Sequence, residues 1–134
     1  MANRTLYPAQ SYGSGRVYAE MRITLAGAAT SVALSSVDGC DLIATVTHVA
    51  ASNKWTITLK DAFNKVIASS VDLLESVAGG SGDYASIGNF SGEGTATALS
   101  FAVYTWNAAG TAQNDSTKTM VVSLALRNGN WGVK

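Results

Sequence analysis

From Thr117 to Asn128 the chain alternates: Met120, Val122, Leu124 and Leu126 occupy every second position, with Thr119, Val121, Ser123, Ala125 and Arg127 between them. A period of two puts the large apolar side chains on one face of an extended segment, which is the pattern of a half-buried strand. Thr95 to Trp106 reads the same way: Leu99, Phe101 and Val103 alternate with Ser100, Ala102 and Tyr104, and this segment is taken as the partner of the first. Between them, Asn107 to Ser116 carries Gly110, Asn114 and Asp115 and no apolar run, so it is a loop.

Arg16 to Leu25 has the cleanest alternation, with Val17, Ala19, Met21, Ile23 and Leu25 against Arg16, Tyr18, Glu20, Arg22 and Thr24. It predicts a strand with one wet or interfacial side. Ala26 to Thr30 turns the chain, Ser31 to Ser36 reads as a short strand, and Val37-Asp38-Gly39 as a turn. Leu42 to Val49 and Asn53 to Lys60 form a hairpin around Ala50 to Ser52, with Trp55, Ile57 and Leu59 pointing inward.

Lys65 to Ala78 admits two readings. Its start is extended through about Ser70, after which a bulge or a helical turn capped by Ser69 to Asp72 fits the spacing of Leu73, Leu74 and Val77. Gly79 to Gly94 holds six of the 13 glycines and is irregular, with Tyr84, Ile87 and Phe90 as anchors of a short strand or a packed loop. Residues 1–15 lack a period but contain Leu6, Tyr7, Pro8 and Tyr12, which reads either as a frayed terminus or as an arm packed on a neighbouring subunit. The organisation is therefore an N-terminal arm over 1–15, one β domain over 16–128, and a short tail over 129–134 that carries Trp131.

Composition narrows the partners. At 134 residues the chain suits a single domain, and only 13% of it is charged, about half of the roughly 25% usual in globular proteins. The formal net charge is +0; a surface with so little repulsion suits burial in an assembly. Lys and Arg are scattered, where a nucleic-acid partner would need them clustered. Apolar runs are only a few residues long, so a membrane partner is not expected, and no address is visible at Met1 to Pro8. Three Asn-x-Ser/Thr matches, at Asn3, Asn89 and Asn114, are taken as chance. Cys40, the sole cysteine, allows no internal disulfide.

The search for chemistry is mostly negative. Gly80-Ser81-Gly82-Asp83-Tyr84-Ala85 matches a dinucleotide fingerprint on paper, but Ser86-Ile87-Gly88-Asn89 cannot continue the helix that such a site needs. No Gly-Lys-Ser/Thr follows a glycine cluster. His48 reads as a satisfied or edge histidine; a catalytic role would need an acid such as Asp38, Asp41 or Glu20 and a nucleophile brought to it. Asp38, Asp41 and Asp61 fall in turns, where carboxylates bond their own backbone or, less commonly, hold calcium. No catalytic residue, cofactor or metal is expected, and the chain is read as a non-enzyme. Tyr18, Tyr104 and Trp106 sit at outward strand positions and serve as sugar-stacking platforms or interface anchors.

The pairing of Thr95–Trp106 with Met120–Asn128, the central Trp55-Thr56-Ile57-Thr58-Leu59 arm of the hairpin, the N-terminal arm, the Ala/Gly/Thr-rich polar segment and the closing Leu126-Arg127-Asn128 resemble the head decoration, or cement, proteins of tailed phages. The likeness covers most of residues 16–128 in pattern and is least over Gly79–Gly94 and beyond Asn128. It implies an all-β jelly-roll or tulip-like β-sandwich, assembled as a homotrimer on the outside of an icosahedral virion and bound to its major capsid protein. Leu6, Tyr7, Tyr12, Tyr18, Tyr104 and Trp106 are then the candidate partner-binding residues. The rival reading is a carbohydrate-binding β-sandwich of a tail fibre or spike, with Tyr18, Tyr104 or Trp106 under the sugar.

Overall fold

A computed structural model describes residues 9–12, 16–34, 37–38, 41–74 and 82–127. The fold is all-β: the described residues form nine strands in two antiparallel sheets. Sheet A runs in the order β1 (Ala9–Tyr12), β2 (Arg16–Thr24), β9 (Thr119–Arg127), β6 (Lys65–Leu74), and β3 (Val37–Asp38) also pairs with β2, next to β1 along the same edge. Sheet B runs β4 (Ile43–His48), β5 (Lys54–Leu59), β8 (Ser100–Trp106), β7 (Tyr84–Ser91).

The alternation seen in sequence is what joins the sheets. From sheet A, Val17, Met21 and Ile23 of β2 and Met120, Val122, Leu124 and Leu126 of β9 turn inward; from sheet B, Val46, Trp55, Ile57, Leu59, Phe101 and Val103 meet them in one cluster. Trp55, Ile57, Leu59, Met120 and Leu126 are fully buried. Burying a side chain of this size stabilises by about 1.5–3 kcal/mol, so face-to-face packing rather than strand propensity holds the sandwich.

Several expectations change. The two long strands read as partners do not pair: β8 lies between β5 and β7 in sheet B, and β9 between β2 and β6 in sheet A. Residues 107–118 carry the chain from one sheet to the other instead of turning it back, so the two apolar faces oppose each other across the core. The likeness to decoration proteins therefore loses the pairing on which it was partly drawn. Val37 and Asp38 form a short strand against Ile23 and Arg22 where a turn was expected. Of the strand expected over Ser31–Ser36, the described residues 31–34 form only a single bridge from Ser31 to Thr47, with Val32 donating to the Val46 carbonyl.

The ambiguous segment after Lys65 is extended as far as Leu74, so no helical turn starts at Ser69–Asp72; the rest of that expectation, through Ala78, lies outside the described residues. A bulge between Val66 and Ala68 shifts the register, so Val66, Val71 and Leu73 pack on the core, opposite Leu126, Val122 and Met120, while Ser69 opposite Leu124 stays exposed. One extra residue reverses the in/out parity, which is why no single alternation fitted this stretch. Within the glycine-rich region Tyr84–Ser91 is a full strand. Of the expected N-terminal arm, residues 9–12 are β1, paired to Arg16–Ala19 of the same chain. Leu6, Tyr7, Cys40, the tail after Arg127 and the rest of the arm lie outside the described residues.

Candidate functional site

Two outer sheet faces and one buried polar node hold the residues singled out by the sequence. On sheet A the outward positions form rows across β2, β9 and β6. Tyr18, Ala125 and Ala68 make one row; Glu20, Ser123 and Ser70 make the next. Because β9 and β6 contribute only small side chains there, the rows floor an open trough of about 220 Å³, with Tyr18 and Glu20 along one side. Tyr18 is 45% exposed. Beyond it, Arg16, Arg127 and Lys65 occupy directly opposed positions at one end of the sheet. None of the three side chains has an ion-pair or hydrogen-bond partner among the described residues. Like charges set opposite one another on adjacent strands are destabilising.

Sheet B carries the second face. Tyr84 is directly opposite Trp106 across β7 and β8, and Tyr104 lies two residues before Trp106 on the same side of β8. The Trp106 ring is 6.5 Å from that of Tyr84 and 6.5 Å from that of Tyr104, with planes inclined by 21° and 32°. Two of the three rings are tied down: the Trp106 indole N–H donates to Ser86 Oγ at 2.9 Å, and the Asn89 amide donates to the Tyr104 hydroxyl oxygen. Asn89 reaches that oxygen because β7 is bulged between Gly88 and Ser91, with Asn89 in the left-handed region at φ 52°. The same bulge sends Phe90 inward onto Phe101, ring centroids 5.4 Å apart.

The structure thus separates the aromatic residues predicted from sequence. Tyr104 and Trp106 form one group on sheet B, Tyr18 stands on the opposite side of the sandwich, and Tyr12 is in β1 with its backbone paired to Arg16. Tyr84 completes the sheet B group. It was read only as an anchor of an irregular region, and its outward alternation became visible once Tyr84–Ser91 was seen to be a strand.

His48 lies inside the sandwich end. Its ring stacks on Trp55, and its two nitrogens approach the carbonyl oxygens of Ala29 at 3.1 Å and Ser52 at 2.9 Å. Among the described side chains the acid beside it is Asp115, at 3.5 Å from Nε2, and not Asp41 or Glu20; the Asp38 side chain lies outside the description. Asp115 in turn accepts from the Ala51 N–H at 2.9 Å, so both side chains fasten the β4–β5 turn to the 107–118 crossover. With both ring nitrogens engaged by backbone and the side chain fully enclosed, the arrangement holds loops together and offers no open position for a substrate. Asp83 plays a similar part: it accepts from Lys118 and from Gln113, both at 2.6 Å, and fixes the start of β7 to the crossover. Among the described residues no group of three His, Cys, Asp or Glu side chains is placed to hold a metal ion. Asp41 is paired instead with Lys60 at 3.1 Å.

Compared with known proteins, the chain matches no protein-family model, no curated protein and no solved structure.

Proposed function

We propose that the protein is a non-catalytic virion component, a capsid decoration protein that binds the outside of an icosahedral phage head through the outer face of sheet A. The observation that carries this reading is the opposed Arg16–Arg127–Lys65 row beside the Tyr18 trough. Three like charges in one row, unneutralised among the described residues, weaken the free sheet; an acidic patch on a shell protein would remove that cost on docking and set the orientation. The small-residue floor gives room for a partner's side chains, and Tyr18 supplies an apolar body with a polar tip at its margin. The major capsid protein is the partner, and a homotrimer is the assembled form on this reading.

The test is co-sedimentation of the purified protein with phage heads that lack it. Wild type is expected to sediment with the particles and to lose binding as salt is raised. The double variant Lys65→Glu/Arg127→Glu is expected to bind at least roughly tenfold more weakly, with a melting temperature no lower than that of wild type. Failure of the wild-type protein to associate with any head, or undiminished binding by the charge-reversed protein, would overturn the proposal.

A further inference from the structure

We infer that the outer face of sheet B is a binding site for a neutral glycan, with Tyr84, Trp106 and Tyr104 as its stacking platform. The Trp106 ring is inclined by 21° to that of Tyr84 and by 32° to that of Tyr104, with centroids 6.5 Å apart in both pairs, well beyond face-to-face contact. They are therefore offset, and part of each remains uncovered; Tyr84 alone is 46% exposed. Their centroid spacing is of the order of the width of one pyranose ring, so neighbouring sugars can each rest on an aromatic surface through their C–H faces.

Rigidity favours the same ligand. Ser86 pins the indole N–H of Trp106 and Asn89 pins the hydroxyl of Tyr104, so two rings are held before any ligand arrives. Preorganised rings lose little conformational freedom on binding.

Charge and hydroxyl content then select the class of ligand. The outward positions of the four strands of sheet B include Thr45, Thr47, Thr56, Thr58, Ser86 and Ser100, and Lys54 is the one charged residue among them. A surface with one cation and many hydroxyls matches a neutral polyol, whose hydroxyl groups both donate and accept. It is a poor match for a polyanion, which would need several cations. The platform lies on the opposite side of the sandwich from the Tyr18 trough, so a copy docked through sheet A would present it outward; the glycan site itself does not depend on that docking.

The experiment uses the full-length protein in affinity electrophoresis through gels containing a neutral β-glucan, a mannan, a xylan or anionic alginate, together with a glycan array and Trp fluorescence titration. At least one neutral glycan is expected to retard the protein. Tyr84→Ala, at an exposed ring, and Trp106→Ala should each weaken that binding by roughly tenfold or more. Tyr84→Phe should retain it, as should Tyr18→Ala on the other face. Melting curves of all four variants separate loss of the platform from loss of the fold, and Tyr84→Ala decides the matter if Trp106→Ala is unstable. Absence of binding to every neutral glycan, retardation by alginate alone, or equal loss in Tyr18→Ala would overturn the inference. Head co-sedimentation of the same variants reports separately on the decoration reading.

Discussion

The His48 ring lies on Trp55 with centroids 3.9 Å apart and planes 11° from parallel. Their backbones are opposite each other across β4 and β5 in the pair next to the connecting turn, so the stack packs the turn end of the hairpin. Trp55 supplies the apolar surface, and its own Nε1 has no hydrogen-bond partner among the described residues. His48 supplies the polar contacts, to Ala29, Ser52 and Asp115. The pair therefore divides into a packing half and a hydrogen-bonding half, which mutation can separate.

For the packing half, Trp55→Ala removes a fully buried indole and is expected to destabilise the fold by about 3–5 kcal/mol. Trp55→Phe breaks no hydrogen bond to a described residue and keeps a ring under His48, so its cost should be clearly smaller. Urea unfolding followed by circular dichroism measures both; equal losses would mean that the indole makes a polar contact essential to the fold.

For the bonding half, His48→Phe preserves the stack but removes the ring nitrogens from the carbonyl oxygens of Ala29 and Ser52, of which Ser52 still accepts from the Asp115 N–H at 3.0 Å. A neutral imidazole donates from one nitrogen only and an imidazolium from both. Loss of an Nδ1–H bond leaves the Ala29 oxygen without its donor, at about 1–3 kcal/mol, whereas loss of an Nε2–H bond to the still-paired Ser52 oxygen costs about 0.5–1.5 kcal/mol. Asp115→Asn keeps an acceptor for the Ala51 N–H and suits the positive φ of 51° at that position, so it is expected to cost about 1 kcal/mol or less. Denaturant titration that found His48→Phe harmless would show that the ring serves only to pack.

The Asp83–Lys118 pair ties β7 to the crossover, with the carboxylate side chain only 6% exposed and the lysine 22%. Asp83→Ala removes the acceptor for both Lys118 and Gln113 and leaves a partly enclosed cation. Because the lysine retains some contact with solvent, the loss should fall near or below the low end of the range for a broken buried pair, about 2–3 kcal/mol. Hydrogen exchange should show the effect first in residues 107–118; protection there equal to wild type would argue against the pair as the fastening.

Gly92 has φ 95°, and a Cβ added to it would lie 2.8 Å from the Ala98 carbonyl oxygen and 3.1 Å from that of Thr97. Both neighbours are backbone and cannot move aside cheaply. Gly92→Ala is expected to cost about 1–3 kcal/mol from the backbone conformation alone, seen as a lower melting temperature. Gly88→Ala, with nothing within 4 Å of the new Cβ, is the control and should be close to neutral.

What the sequence determined by itself was which side chains face inward on the regular strands. The alternations over Arg16–Leu25, Trp55–Leu59 and Met120–Leu126 are local, and each survives as a buried face because a strand's side-chain period is two wherever it pairs. Pairing itself is not local. Nothing in Thr95–Trp106 or Thr117–Asn128 says whether the loop between them turns within a sheet or crosses to the other, and only the packed core decided for the crossing. The bulge after Val66 likewise depends on register against β9, and it reverses a parity that sequence can only read as continuous. The same holds for the sites. Tyr18, Tyr104 and Trp106 were legible as outward aromatics, yet their division between opposite faces, the joining of Tyr84 to one group, the opposition of Lys65 to Arg127 and the placing of Asp115 beside His48 all arise from strands brought together across long stretches of chain.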